Sequence, residues 1–189
     1  MNLKLLFIYG LILLSACNRS GKESAEVLDS SLPKTELKGE PKTDSGENKK
    51  PEGQISLNAK IIRIVDGDTA ELLYDELPIM LRLQHIDAPE KRGKQPYGVK
   101  AKAVLSDLCF GQEVTIITEG DFDMGGRMIG VIINKDGLNV NKEMVRRGYA
   151  WHFKKYSSDM SYDTLEREAR GEKRGLWQDP NPIAPWDFR

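Results

Sequence analysis

The sequence predicts an α+β domain built around a small closed β-sheet with helices packed on its outside. Three observations carry that prediction. After residue 53, β-branched and alternating apolar runs dominate; one stretch of helical spacing interrupts them; two further helical stretches follow. The 189 residues suffice for one domain with appendages. Composition is that of a soluble protein, 39% hydrophobic and 30% charged, with a mean hydropathy of -0.49. Charge is balanced, 28 Lys and Arg against 29 Asp and Glu, and the balance persists beyond residue 53. The basic footprint usual for nucleic-acid binding is therefore missing, and such a function would rest on local charges and a metal ion.

The chain opens with a leader over residues 1–17. Lys4 precedes an apolar run from Leu5 to Leu14, too short for a membrane span, which needs about 20 residues. Leu14-Ser15-Ala16-Cys17 resembles a bacterial lipobox. That resemblance implies cleavage before Cys17, lipid on its thiol and new amino group, and a membrane-anchored place in the cell envelope outside the cytoplasm. Asn18 stands where Asp commonly marks inner-membrane retention, which favours the outer membrane or cell surface. Residues 18–53 are rich in Ser, Lys, Glu, Pro and Gly and cannot bury enough apolar surface to fold. They are expected to be a disordered tether spanning about 30–36 Å root-mean-square.

The domain proper is expected over residues 54–178, with 179–189 as a tail. Ile55–Ala59 alternates, Ile61–Val65 is β-branched, and Ala70–Tyr74 leans apolar, so all three read as strands. Leu77–Ile86 is a longer strand candidate. Tyr97–Leu108 has helical spacing, with Ala101, Val104, Leu105 and Leu108 on one face. Glu113–Thr118 and Met128–Ile133 are further strands. Asn141 is placed to cap a helix ending at Gly148. A last helix is expected between about Met160 and Lys173, with Tyr162, Leu165 and Ala169 on one face and Glu166–Arg170 as an i,i+4 pair. A five-stranded Greek-key barrel of the oligonucleotide-binding class fits this pattern, as do other α+β folds.

Two segments concentrate the chemistry: Ile64-Val65-Asp66-Gly67-Asp68-Thr69, and Leu81 through Glu90 with Arg82, Asp87, Ala88, Pro89 and Glu90. Each alone reads as an ordinary turn at a strand end. Together they put four acids, Asp66, Asp68, Asp87 and Glu90, at two strand ends with Arg82 between them. Hard divalent cations want such oxygens, and calcium tolerates irregular geometry. No Cys/His set is present for a softer metal. Asp121–Arg127 brings a second arginine after a glycine turn. Two arginines beside a carboxylate-bound cation form a set suited to phosphoryl chemistry, with one carboxylate left to act as base. His85 and His152 have packing or surface roles by their apolar and aromatic neighbours, and Cys109 reads as a buried small hydrophobe. Lys91, Arg92, Lys94, Lys100 and Lys102 are either a guide for a substrate strand or a solvated face.

At these residues the domain resembles the staphylococcal nuclease family. The likeness rests on the Val65–Thr69, Arg82–Glu90 and Asp123–Arg127 runs, with Asn139–Gly148 and Gly171–Trp177, in order along most of residues 54–177. It implies the five-stranded oligonucleotide-binding barrel with three helices and a monomeric, calcium-dependent nuclease acting on DNA, RNA or both. It implies that Asp68, Asp87 and the Ala88 carbonyl hold Ca²⁺, with Asp66 supporting them from outside the ion's ligands. Glu90 is implied as the base, and Arg82 and Arg127 as holders of the scissile phosphate. Water would expel the 5′-oxygen and leave 3′-phosphate ends. Met124 and Gly125 depart from the family, which commonly carries a basic residue and Tyr there. Lys154 and Tyr156 fall in the nucleotide-pocket segment; Lys154 replaces a Tyr, and Tyr156 matches. The competing reading, a barrel that binds without cutting, is disfavoured because all five acids and arginines are in place.

Overall fold

The computed structural model describes residues 53–189. The expected leader and nearly all of the expected tether, Cys17 included, lie outside the described residues.

Strand β1 runs Ile55–Asp66, β2 Thr69–Tyr74, β3 Leu77–Leu83 and β4 Ile86–Asp87; helix α1 covers Gly98–Cys109. Then come β5 (Glu113–Thr118), β6 (Met128–Ile133), α2 (Val140–Arg146), β7 (Trp151–His152), α3 (Met160–Gly171) and α4 (Pro185–Phe188). The five long strands close into a barrel in the order β1-β2-β3-β6-β5, while β4 pairs with β7 in a separate ribbon. Only the β3–β6 pair is parallel; it closes the barrel, as expected for the oligonucleotide-binding architecture.

The two runs read as separate first strands are one strand of 12 residues. Its first half pairs with β5 and its second with β2, and register shifts at Ile61/Arg63 and Ile64/Asp66 bend it between the two. Alternation then fills the barrel: Ile61, Leu72, Leu81, Leu83, Ile116 and Ile132 are all fully or almost fully buried. On the outside, α1 inserts Ala101, Leu105 and Leu108, and Cys109 is buried with its Sγ donating to the Leu105 carbonyl. Burial pushes the Cys109 thiol up to about 12, so it is inert, as its apolar surroundings predicted.

Two expectations about element ends need correcting. The third strand stops at Leu83 rather than Ile86, because His85 takes a left-handed backbone (φ 71°) and breaks the ladder. Asn139, not Asn141, caps α2: its backbone is extended, and its side chain accepts the Lys142 N–H at 2.9 Å. Asn141, one residue into the helix, has a different task. Its Nδ2 donates to the carbonyls of Gln84 (2.9 Å) and Gly130 (3.2 Å), and its Oδ1 accepts from Ile132 N–H (3.1 Å). It thus pins the end of β3 to β6 at the point where the chain turns toward β4.

The last helix carries Tyr162 and Ala169 inward and forms the expected Glu166–Arg170 pair. Glu166 is itself buried, because its second oxygen accepts the His152 backbone N–H at 2.6 Å. Residues 179–189, expected as a tail, fold back instead. They form the one-turn α4, with Ala184 and Pro185 buried.

Candidate active site

The site grows from the β1–β2 hairpin. Asp66 pairs with Thr69, so Gly67 and Asp68 form a two-residue turn. A Cβ at Gly67 would lie 2.7 Å from the Cβ atoms of both Ala88 and Ala101. Only glycine lets this turn press against α1 and the segment after β4. Asp68 is thereby buried, its Oδ2 accepting the Ala88 N–H at 2.8 Å and its Oδ1 the Thr69 hydroxyl at 2.9 Å.

Strand register brings the arginine. Thr69 of β2 faces Arg82 of β3, so the Arg82 guanidinium lies beside Asp68 and pairs with its Oδ1. The kink at His85 then turns β4 back, and Asp87 meets the same guanidinium, Oδ1 to Nη2, at 2.6 Å. Asp87 is fully buried, and its other oxygen, Oδ2, has no hydrogen-bond partner among the described residues. Burial, the Arg82 charge and the Ala88 amide act on Asp68; the favourable contacts outweigh burial and hold its carboxyl below the usual range. For Asp87, burial dominates, the Arg82 charge opposes it, and the nearby Asp68 adds to it, so its carboxyl is pushed up. Burial disfavours the Arg82 charge, but the two carboxylates outweigh that and hold the guanidinium firmly charged.

Arg127 enters from the start of β6, which lies parallel to β3. Its Nη1 donates to Thr69 Oγ1 at 3.4 Å, the hydroxyl that donates to Asp68, so Arg127 reaches the Asp68–Thr69 corner. Asp123 aims it. That carboxylate accepts from Gly125 N–H (2.9 Å), Arg127 N–H (3.0 Å) and Arg127 Nε (2.7 Å), wrapping the Gly125-Gly126 turn around one side chain. Partial burial raises the Asp123 carboxyl, but its Arg127 and backbone hydrogen bonds bring it below the usual range.

Glu90 follows on the irregular stretch before α1. Its N–H donates to Gln95 Oε1 (2.8 Å), and its carbonyl accepts the Gln95 N–H (3.2 Å). A Cβ on Gly98 would collide with that carbonyl, so the start of α1 packs directly against Glu90. The Glu90 carboxylate binds Arg189 Nε at 2.6 Å, and Arg189 Nη2 binds Asp87 Oδ1 at 2.5 Å. Asp66 ties the hairpin to this stretch by accepting the Gly67 and Lys91 N–H groups at 2.9 and 3.1 Å.

Asp68, Arg82, Asp87, Glu90 and Arg127 thus come together at one end of the barrel. Lys154 and Tyr156 make no hydrogen bond or ion pair to them among the described residues. Lys154 sits on a 3₁₀ turn and pairs with Asp163 of α3 at 2.5 Å; Tyr156 is exposed and meets Phe153 edge-on. His85 Nδ1 and His152 Nε2 both meet the Ser157 hydroxyl, at 3.0 and 2.9 Å. Burial lowers both imidazoles' proton affinity, and both rings pack against Tyr162. Sequence reasoning missed Thr69, Asp123, Gln95 and Arg189. The i,i+4 spacing of Asp123 and Arg127 around two glycines was a usable signal. Nothing local marks Gln95 or Arg189, whose partners lie on other segments.

Comparisons with known proteins bear on this arrangement. Residues 80–179 match the family model described as "Staphylococcal nuclease homologue". The chain belongs to the staphylococcal nuclease family. Its relatives include a protein of Escherichia coli O157:H7 named "Uncharacterized endonuclease", 41% identical over 133 residues, 70% of this chain and 85% of that protein. Another is a "Micrococcal nuclease" of Shigella flexneri, 39% identical over 140 residues, 69% of this chain and 79% of that one. A "Probable staphylococcal-like nuclease CAN2" of Oryza sativa subsp. japonica is 41% identical over 130 residues, 69% of this chain but 33% of its own length. As a staphylococcal nuclease family member, the protein is a nuclease, a hydrolase acting on nucleic acid. The family match spans Arg82, Asp87, Glu90 and Arg127; the Asp68 turn lies before it and Arg189 after it.

Proposed function

We propose that this protein is a calcium-dependent nuclease that opens phosphodiester bonds of DNA or RNA with the 5′-oxygen leaving, giving 3′-phosphate ends. The observation that supports it best is the buried Asp87 Oδ2, a carboxyl oxygen beside Asp68 with no hydrogen-bond partner among the described residues. An orphaned carboxylate oxygen is costly unless a cation or water meets it. Among the described residues no group of three or more His, Cys, Asp and Glu is arranged to hold a metal. The donors are those that the family resemblance implies, Asp68, Asp87 and the Ala88 carbonyl, with water for the rest. That all-oxygen, water-rich set suits calcium, which takes six to eight oxygens, and offers nothing to a thiophilic ion. When bound, the ion polarises the phosphate and stabilises its developing charge.

The chain's own side chains do the remainder. Arg82 and Arg127 approach the Asp68–Thr69 corner from two strands and hold non-bridging phosphate oxygens through guanidinium forks. Glu90 accepts a proton from the attacking water, whose oxygen bonds to phosphorus as the bond to the 5′-oxygen breaks; that oxygen leaves and takes up a proton. Asp66 shapes the hairpin from behind. Met124, wholly exposed, and Gly125 offer no side-chain contact to a terminal phosphate.

The decisive assay incubates the protein with single-stranded DNA, with Ca²⁺ or with chelator, and analyses product ends. Cleavage that requires Ca²⁺, yields 3′-phosphates and falls about 10²–10³-fold in Arg127→Ala supports the reading. Tight binding without cleavage under any divalent metal would sink it.

We further infer that the enzyme works as a monomer, since one chain supplies all five residues, and that Cys17 anchors it by lipid to the outer membrane or cell surface. Cys17→Ser should move the protein from the membrane to the soluble fraction. Unchanged fractionation would remove the anchor.

A further inference from the structure

We propose that Arg189 is a positioning residue of the nuclease centre, fixing the Glu90 carboxylate against Asp87 so that one glutamate oxygen stays directed at the attacking water. The inference rests on Glu90 being the base. A base must be held within hydrogen-bond reach of the proton it removes, and Glu90 is poorly equipped to hold itself there. It lies on an irregular stretch, and its backbone is fixed by Gln95. Its carboxylate, about a quarter exposed, receives its one hydrogen bond among the described residues from Arg189.

The Arg189 guanidinium spans the gap between two acids. Nε binds Glu90 Oε1 at 2.6 Å and Nη2 binds Asp87 Oδ1 at 2.5 Å, the oxygen that Arg82 holds from the other side at 2.6 Å. The result is a continuous line of alternating charge, Asp68–Arg82–Asp87–Arg189–Glu90. One oxygen of Glu90 is tied and the other left open. A planar, permanently charged fork can make both bonds at once; a lysine ammonium is a single point.

The arm that delivers Arg189 is anchored on the same parts of the fold. Trp186 lies parallel to Phe153 with ring centroids 5.4 Å apart and meets Trp151 edge-on at 5.6 Å. Trp151 is the cross-strand partner of Asp87 in the β4–β7 ribbon. Gln95, itself buried, accepts the Glu90 N–H with its Oε1 and donates from Nε2 to the Ile183 carbonyl at 2.8 Å. A single glutamine therefore sets both the base's backbone and the arm that steers its side chain. The opposite role, an internal competitor that keeps cations off Asp87, predicts opposite results.

The test compares the full chain with its Arg189→Ala, Arg189→Lys, Glu90→Gln and Glu90→Gln/Arg189→Ala variants on single-stranded DNA with Ca²⁺. Positioning predicts that Arg189→Ala lowers kcat about 10- to 100-fold while KM moves less than about threefold. Arg189→Lys should recover only a small part, and the double variant should be no slower than Glu90→Gln alone. In metal-free protein, the three-bond couplings of the Glu90 side chain should report one rotamer in the wild type and averaging in Arg189→Ala. Should Arg189→Ala melt below the assay temperature, Arg189→Gln, which keeps the stem, carries the same expectations. A faster Arg189→Ala enzyme, tighter Ca²⁺ binding by it, a loss that adds fully to that of Glu90→Gln, or unchanged couplings would overturn the proposal. An active Glu90→Gln enzyme would instead overturn the reading of Glu90 itself.

Discussion

Arg127 reaches the Asp68 corner at the end of a lever whose pivot is Asp123. Four donors converge on that one carboxylate, two of them from the arginine's own guanidinium. Asp123→Ala removes the pivot while leaving every group that touches phosphate, so kcat should fall about 10-fold or more with the fold intact. Steady-state kinetics beside a thermal melt would check this; wild-type kcat would show that Arg127 aims itself. Asp87 makes a second residue-scale prediction, through proton linkage in metal-free protein. Its folded-state carboxyl lies above the ordinary value of 3.8. Between 3.8 and that raised value the native state binds more protons than the unfolded state. Its contribution is thus fully present below the unfolded value and lost as pH rises through the folded one. Asp87→Asn should therefore compare more favourably with the wild type at pH 7 than near pH 4. Chemical denaturation at both pH values checks the sign; a difference independent of pH would mean Asp87 titrates normally.

At the scale of elements, the two asparagines of α2 separate a cap from a clasp. Asn139→Ala costs the helix one capping bond, about 1 kcal/mol. Asn141→Ala leaves the Gln84 carbonyl and the Ile132 N–H at the β3–β6 seam without this partner, while the Gly130 carbonyl keeps the Gln84 N–H. Buried, unsatisfied groups cost about 1–3 kcal/mol each, so a loss of at least about 2 kcal/mol is expected. Urea unfolding of the two variants should rank them in that order; equal losses would show the seam to be wet. The same seam adjoins His85, whose left-handed backbone leads into β4 and Asp87. Asn141→Ala should therefore also weaken Ca²⁺ affinity, whereas Asn139→Ala should not.

For the whole molecule, charge balance shapes how substrate is held. With 28 basic against 29 acidic residues there is no broad positive field, so affinity rests on few phosphate contacts. For single strands each contact adds about 0.7 to the slope of log affinity against log salt. Two arginine contacts predict a slope near −1.4, falling by about 0.7 in Arg127→Ala. A steep slope, beyond about −4, would implicate the Lys91–Lys102 surface instead.

The sequence by itself settled what could be read over a few residues at a time. Alternation and β-branching placed Glu113–Thr118 and Met128–Ile133 at their observed bounds, and helical spacing found α1 and α3 to within two residues. The acids and arginines of the site were legible because they cluster at strand ends in two short segments and one glycine turn. Such signals are local, set by period and by turn chemistry. Tertiary structure alone decided the rest. Joining two runs into β1 depended on which strands share it, and the Gln84 carbonyl just past the end of β3 is held by Asn141, more than fifty residues away. Arg189 belongs with Asp87 and Glu90 only because α4 folds back across the β4–β7 ribbon. A contact between residues about a hundred positions apart leaves no periodicity and no turn composition, because what fixes it is packing among distant surfaces rather than the preference of any local stretch.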